Sequence, residues 1–378
     1  MYHQNGFLSI YILVMLSLKK TPFYGTIKRG VDNMQQYTYP QYRQYIPRPV
    51  ITEDTIRRDT QKKLRKRCTA VGFYALTYTA TMYVLSIGLL LLFQTLGIRT
   101  DETLSQLQDI FISVGAAFIP GILFIAATGF KFREAFGKTT VGATTLIPLI
   151  LMGMAVAMAS NYAADIFETN LSIFGLQNTA GTVESSAMTP FEIILNIISV
   201  AIVPAFAEEF AYRGLVMGSL KKYGRAFAVV ASAILFSAMH SNTTQIVFTL
   251  PVGLIFGYID IITDSILPSI LLHFMNNFYA ILFTILYTNS NLDERELTIV
   301  QLIIVLLFLV SGVLSFIYLA RSKKVSFSLS DKEKPIEKGA ELLTLKNKMS
   351  AFLVNPGVMI SMSVFLTFTI LCLTPLNQ

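Results

Sequence analysis

The chain has 378 residues, of which 53% are hydrophobic and 14% are charged, and its mean hydropathy is +0.57. This composition is typical of an integral membrane protein and excludes a set of ordinary soluble domains. The net charge of +7 does not indicate nucleic-acid binding, because the basic residues lie in loops beside apolar segments, where they act as membrane-topology signals.

Residues 1–67 are predicted to form a disordered basic tail. From residue 34 onward the tail is rich in Tyr, Gln and Pro, and it ends in the basic stretch RRDTQKKLRKR, which favours a position beside an anionic membrane surface. Residues 7–18 are apolar but too short to span a bilayer. Since Met34 offers a second start, residues 1–33 are interpreted as an interfacial segment or an upstream extension of the reading frame.

Nine apolar segments follow the tail, and together they predict an all-α fold, a polytopic transmembrane helix bundle with about nine membrane segments. In this division the membrane core occupies residues 68–320, a cytoplasmic loop residues 321–349 and a C-terminal transmembrane helix residues 350–378. The nine segments lie at about residues 69–96, 108–130, 140–160, 190–212, 226–241, 246–263, 266–288, 298–320 and 351–374.

The basic residues predict the orientation of the bundle. If the tail is cytoplasmic, alternate connections are cytoplasmic as well, and these regions hold 28 of the 30 lysine and arginine residues. Only Arg99 and Arg295 fall on the other side. This asymmetry follows the positive-inside rule, so we expect an integral membrane protein with a cytoplasmic N-terminus. A bacterial cell membrane is the expected location. The regions are residues 1–67, 131–138, 213–225 and 321–348.

The apolar stretch at residues 190–220 carries three charged residues, Glu208, Glu209 and Arg213. A charge near the centre of a membrane costs about 2.5 to 3.5 kcal/mol. On a helix Glu209 and Arg213 are four residues apart with the acid first, which is the favourable order for an ion pair. Glu208 points about 100° away, and an intramembrane carboxyl without this partner is a candidate for acid–base chemistry.

Two histidines, His240 and His273, also lie inside apolar segments. Each shares a helix face with a residue four positions away, Phe236 for the first and Asn277 for the second. At 1.5 Å per residue, the two histidines, Asn277 and Glu208 lie at a similar depth, up to about 20 Å from the cytoplasmic helix ends. A single intramembrane histidine is usually a packing residue, but two at the depth of an unpaired glutamate predict a polar functional cluster.

Other notable residues are interpreted as structural. Gly253 and Gly257 form a GxxxG pattern, which predicts the close approach of two helices. Asp260 and Asp264 are interpreted as the end of a helix and its turn.

Three motifs of the chain resemble those of the CPBP family, which includes CAAX proteases and bacteriocin-processing membrane proteins. They are EExxxR (Glu208, Glu209, Arg213), FxxxH (Phe236, His240) and HxxxN (His273, Asn277). The resemblance covers about residues 190–285 and implies an intramembrane endopeptidase that acts on a membrane-associated peptide or protein. By motif, Glu208 would be the general base on water, assisted by His240. His273 and Asn277 would stabilise the oxyanion.

Two mechanisms stay open within this resemblance. Two histidines and a glutamate, here His240, His273 and Glu208, are also a ligand set for catalytic zinc. Metal-free catalysis is favoured, because Glu209 is expected to pair with Arg213 and no supporting carboxylate is evident for either histidine. We therefore expect no cofactor, and zinc is the alternative.

The rival function class is a non-catalytic membrane protein. An immunity protein, a scaffold or a transporter could use the same buried polar cluster. The sequence contains no internal repeat of the kind that transporters often show. In either class the expected partners are a membrane-associated peptide or protein and the lipid bilayer, and not a nucleic acid.

Overall fold

The computed structural model describes residues 52–139, 141–178, 188–329 and 337–375, so residues 1–51 of the predicted tail lie outside it. The described chain is largely helical, which confirms the predicted all-α bundle. Two three-residue strands and a short 3₁₀ turn, Ala340–Leu342, complete it. The elements are α1 (Glu53–Leu96), α2 (Glu102–Thr128), α3 (Phe132–Phe136), α4 (Ala143–Ile173), β1 (Leu176–Asn178), α5 (Pro190–Tyr223), α6 (Arg225–Met239), α7 (Thr243–Thr263), α8 (Leu267–Asn289), α9 (Glu294–Ser322), α10 (Leu345–Leu353), α11 (Pro356–Leu371) and β2 (Leu373–Pro375).

Helix α1 begins earlier than the sequence predicted. Thr52 caps it by accepting a hydrogen bond from the Thr55 N–H at 3.3 Å, and the basic stretch that follows consists largely of strong helix formers. Leu64 in this stretch is fully buried. The predicted disorder is therefore wrong for residues 53–67, because this part of the chain is capped and packs against the bundle.

The C-terminal boundaries also differ from the prediction. Helix α10 begins at Leu345, inside the predicted loop 321–349, of which residues 330–336 lie outside the described range. The predicted C-terminal span consists of α10 and α11, which meet at a bend of 65°. Pro356 starts α11, and proline favours such a break because it has no backbone N–H to continue the preceding helix.

Seven helices in the described chain are long and apolar enough to cross a membrane, and the bent pair α10 and α11 makes an eighth if it is one span. Helix α6 has 15 residues, fewer than the roughly 20 of a typical span. Each of the nine predicted segments contains a helix, but the count of spans is seven or eight rather than nine.

Two apolar clusters form the core of the bundle. The first contains residues of α1, α2, α5, α6, α10 and α11, and the second contains residues of α4, α7, α8 and α9. Helices α5 and α6 therefore face α7 and α8 across the boundary between the clusters. The three sequence motifs lie on α5, α6 and α8, on the two sides of this boundary.

Several connections predicted to share one side of the membrane meet in the structure. The Lys138 N–H donates to the Asp264 carbonyl at 2.8 Å, and the Lys221 ammonium lies 3.5 Å from the Asp264 carboxylate. Glu337 forms an ion pair with Lys222 at 3.3 Å. At another point of the bundle, β1 and β2 pair as antiparallel strands. These contacts agree with alternating connections, while the side that faces the cytoplasm stays a prediction.

The GxxxG pattern of α7 provides the predicted close approach. A Cβ atom at Gly253 would lie 3.2 Å from the Ala233 Cβ atom of α6, and one at Gly257 would lie 3.2 Å from the Met217 sulfur of α5. Larger residues would push α7 away from both helices. The two glycines thus draw α7 against the segment that carries the charged motif.

Candidate active site

The central helix α5 is not a regular α-helix. Thr189 and Glu192 cap its start with reciprocal side-chain to backbone hydrogen bonds. Two wider π-helical segments follow, at Ile197–Ile202 and Phe210–Met217. Such turns are uncommon and often mark functional sites. Glu209 is the last residue before the second of them, so the acidic pair of the first motif lies where the helix widens.

Glu209 and Arg213 form the ion pair that their spacing predicted. The Arg213 Nε atom lies 3.1 Å from Glu209 Oε2, and the two side chains are only 1% and 0% exposed. The guanidinium carbon also lies 4.0 Å from the centroid of the Phe236 ring, a favourable cation–π arrangement. Because both charges are buried, removing Glu209 would leave the Arg213 cation without its partner carboxylate.

His273 contacts the other oxygen of the same carboxylate. Its Nδ1 atom lies 2.9 Å from Glu209 Oε1, so Glu209 bridges Arg213 and His273. A carboxylate on one ring nitrogen fixes the orientation of an imidazole and directs its Nε2 atom to the opposite side. The expectation that no carboxylate supports either histidine is therefore wrong. The contact joins α5 to α8, and spacing within one helix cannot predict it.

His240 is held by the backbone of its own helix. Its Nδ1 atom lies 2.8 Å from the carbonyl oxygen of Phe236. A carbonyl only accepts hydrogen bonds, so Nδ1 carries the proton and the neutral ring has an unprotonated Nε2 atom. The Phe236 ring packs edge to face against the imidazole, with the centroids 5.0 Å apart. In this tautomer His240 can accept a hydrogen bond from water.

A single cavity of about 200 Å³ lies between α5, α6, α7 and α8. All of the residues that were predicted to lie at one depth contribute to its lining. Glu208 is half-buried, and its Oε2 atom is buried without a hydrogen-bond partner among the described residues. The adjacent glutamates thus have different surroundings, since Glu208 faces the cavity and Glu209 lies in the ion pair. The residues in question are Glu208, His240, His273 and Asn277.

Asn277 connects α8 to α5. Its side-chain amide donates to the carbonyl oxygen of Val200 at 2.9 Å. Val200 lies in the first π-helical segment, shortly before Pro204, which has no backbone N–H. Asn277 supplies a donor to this carbonyl. A primary amide has two N–H groups, so one can hold Val200 while the other serves a ligand in the cavity.

Asp260 is a residue of this region that the sequence interpretation missed. Asp264 does end α7, in a left-handed conformation with φ 55°, but Asp260 lies inside the helix and is 3% exposed. Its Oδ1 atom accepts from the Ser269 N–H at 3.2 Å, and it lines a small cavity together with Arg213. The available signal was an acidic residue inside an apolar run, which is costly in a membrane.

Glu208, His240 and His273 carry the donor atoms that zinc would require, one carboxylate and two Nε2 atoms. Across the ranges that the structure describes, no three His, Cys, Asp or Glu side chains are close enough together to form a metal site. Zinc-bound histidines commonly have a carboxylate on the ring nitrogen that does not bind the metal. Glu209 is nevertheless placed in this way beside His273. Metal-free catalysis therefore stays a prediction, with one of its two arguments removed.

Comparison with known proteins agrees with the motif region. Residues 190–279 match the family profile described as type II CAAX prenyl endopeptidase, Rce1-like. The membrane-embedded CAAX protease MroQ of Staphylococcus aureus (strain USA300) is 24% identical over 148 residues, which are 37% of this chain and 59% of that protein. The chain thus spans less than two thirds of the length of this curated relative. No solved structure matches the chain.

The matched region contains every residue of the three motifs, from Glu208 on α5 to Asn277 on α8. These residues meet at the boundary between the two apolar clusters of a membrane helix bundle. Through this region, the chain is similar to the type II CAAX prenyl endopeptidases and to a membrane-embedded CAAX protease.

Proposed function

We propose that the chain is an intramembrane endopeptidase that hydrolyses a peptide bond of a membrane-associated peptide or protein. The observation that carries this proposal is the position of Glu208, whose carboxylate faces a cavity that His240 and His273 also line. Amide hydrolysis needs a base that activates water and donors for the developing oxyanion. The lining of this cavity offers side chains suited to both tasks.

Glu208 is the general base in this proposal. Its carboxylate takes a proton from water while the hydroxyl oxygen attacks the scissile carbonyl carbon, and the resulting carboxyl group then gives the proton to the leaving amine. His240 positions that water, because its unprotonated Nε2 atom can accept a hydrogen bond while Phe236 holds its Nδ1–H.

His273 and Asn277 act on the oxyanion. His273 can donate from Nε2 only as an imidazolium, and Glu209 on its Nδ1 atom is placed to pair with that cation. Asn277 donates through the amide N–H that Val200 does not use. A single oxyanion donor is worth about 2.7 to 4 kcal/mol in measured cases. Glu209, paired with Arg213, fixes the orientation of the His273 ring from outside the cavity lining.

The substrate class follows from the similar proteins rather than from the cavity. Both the family description and the name of the relative refer to CAAX proteolysis. Peptides that end in a prenylated CAAX sequence are therefore the first substrates to test, followed by unmodified membrane peptides.

The test compares wild type with Glu208→Gln, which keeps the size of the side chain but cannot take a proton from water. Mass spectrometry of membrane peptides from cells that carry either protein should show cleavage products only with wild type. Purified protein in proteoliposomes should likewise cleave a reporter peptide only when Glu208 is present. Absence of cleavage by purified wild type, with no product in cells that depends on the protein, would contradict the proposal and favour a non-catalytic immunity, scaffold or transport role. Equal cleavage by Glu208→Gln would instead contradict the assignment of Glu208 as the base.

A further inference from the structure

A second cavity of about 540 Å³ lies at the end of the bundle where the basic connections meet. It is larger than the candidate active-site cavity and shares none of its lining residues. The ends of α2, α5 and α7, the start of α6 and the basic part of α1 surround it. Its charged lining residues are Arg67, Lys221, Lys222, Arg225, Glu134 and Asp264.

The lining has an excess of positive charge, four cationic side chains against two carboxylates. Lys221 lies 3.5 Å from Asp264, and Lys222 lies 3.3 Å from Glu337 outside the lining. Glu134 in turn lies 4.0 Å from Lys131. These carboxylates balance part of the charge and hold the lysines in place, and two arginines also line the cavity.

Arg67 provides a second, independent indication of a ligand. Its Nη2 atom donates to the Thr128 carbonyl oxygen at 3.4 Å. Its Nη1 atom is buried and has no hydrogen-bond acceptor among the described residues, while the Tyr223 hydroxyl interacts with the same guanidinium group. A buried guanidinium N–H without an acceptor is costly. An anion in the cavity that Arg67 lines would remove this cost.

The N-terminus of α6 also favours the binding of an anion. This helix of 15 residues begins at Arg225, beside the cavity. Its N-cap is Gly224, which has no side chain to accept hydrogen bonds from the N–H groups of the first turn. The N-terminus of a helix attracts anions through these N–H groups and through the helix dipole.

We propose that this cavity binds a phosphate ester anion. A phosphate group has several acceptor oxygens, so it can pair with a guanidinium in a two-point arrangement and with further cations at the same time. The cavity is large enough for a glycerophosphate group. Two sources share this chemistry, the headgroup of an anionic phospholipid and a soluble phosphate ester.

The test measures ligand-dependent thermal stability of the purified full-length chain in detergent. The chain has no tryptophan, but Cys68 is buried and will react with a thiol-specific dye when the protein unfolds. The probes are dihexanoyl phosphatidic acid, dihexanoyl phosphatidylcholine, glycerol 3-phosphate and inorganic phosphate. The variants are Arg67→Gln and Arg225→Gln, with Arg65→Gln as the matched control, since Arg65 lies on the same helix, is exposed and does not line the cavity.

Phosphatidic acid should raise the melting temperature in a saturable way. The concentration for half of this effect should be at least tenfold higher in Arg67→Gln and in Arg225→Gln, and unchanged in Arg65→Gln. An equal effect of glycerol 3-phosphate would identify a soluble ester as the ligand, whereas an effect of phosphatidic acid alone would identify a lipid headgroup. If Arg67→Gln does not fold, Arg225→Gln decides the test. The proposal fails if phosphatidylcholine acts as well as phosphatidic acid, if Arg65→Gln loses as much affinity as the two variants, or if no probe shows saturation.

Discussion

The Nδ1 atom of His273 lies 2.9 Å from Oε1 of Glu209, so a glutamate on α5 fixes a histidine on α8. The same carboxylate lies 3.1 Å from Arg213 Nε. Glu208, the preceding residue, faces the cavity instead. In the proposed mechanism these two neighbours therefore have different roles, Glu208 as the base and Glu209 as a support for His273.

The two glutamates should differ in what their loss causes. Glu208→Gln should keep the abundance and melting temperature of wild type and lose cleavage, and His240→Ala should resemble it. Glu209→Gln leaves Arg213 as a buried cation, and breaking a buried pair costs about 3 to 5 kcal/mol. Glu209→Gln and Arg213→Ala should therefore both reduce the folded protein in the membrane.

Expression level, melting temperature in detergent and reporter cleavage would be measured on these four variants. Cleavage by Glu208→Gln would show that another group is the base. A Glu209→Gln protein that is fully stable yet inactive would reverse the assignment of the two carboxylates.

Asn277 should have two separable roles. Asn277→Ala removes the donor to the Val200 carbonyl, and a typical intramolecular hydrogen bond contributes about 0.5 to 1.5 kcal/mol to stability. Pro204→Ala adds a backbone N–H four positions after Val200, which can donate to that carbonyl where the segment becomes regularly α-helical. The double variant should regain melting temperature but not cleavage, with Pro204→Ala alone as the control. Full recovery of cleavage per folded molecule would show that Asn277 only joins the two helices.

The zinc content of the purified protein can be measured directly. Because His240 is assigned to water and His273 to the oxyanion, the purified protein should contain no stoichiometric zinc and should keep its activity in a chelator. Elemental analysis and reporter cleavage would be followed through chelation and zinc addition. Near one zinc per chain, lost and restored together with activity, would favour a site formed by Glu208, His240 and His273.

The orientation of the bundle can be read from thiol labelling. Single cysteines at positions 221, 338 and 295 would be placed in a background without Cys68 and Cys372. An impermeant thiol reagent on intact cells should label position 295 only, and permeabilised cells should show labelling of the other two as well. This follows from the distribution of basic residues. Labelling of position 221 from outside would reverse the orientation.

Glu337 should make the stability of the protein depend on pH, at the end of the bundle where the basic connections meet. Its hydrogen bond with Lys63, at 2.7 Å, and its ion pair with Lys222 hold the pKa of the carboxyl below its ordinary value of 4.5. The stabilisation is therefore present above about pH 4.5 and is lost as the pH falls through the lower, folded-state pKa.

The melting temperature of wild type should exceed that of Glu337→Gln at neutral pH, and the difference should shrink toward zero in acid. Glu341→Gln, which removes an exposed carboxylate close by, is the control. A difference that is the same at pH 7 and pH 3 would contradict an ionic origin.

The amino-acid sequence alone predicts the membrane class, the helical segments and the Glu209–Arg213 pair. These follow from properties that are local along the chain, namely a run of apolar residues and the geometry of residues four apart on one helix. It also identified Glu208, His240, His273 and Asn277 as residues of similar depth, because depth depends on helix rise and on the position of the basic loops.

The contacts between helices, in contrast, could not be predicted from the sequence. Glu209 reaches His273 on another helix, Asn277 donates to the Val200 carbonyl of α5, and Asp260 is buried beside the ion pair. Each depends on how the helices are rotated and how closely they pack, which hydropathy and spacing do not specify. The early start of α1 and the bend between α10 and α11 have the same origin, since capping and packing set where a helix begins and ends.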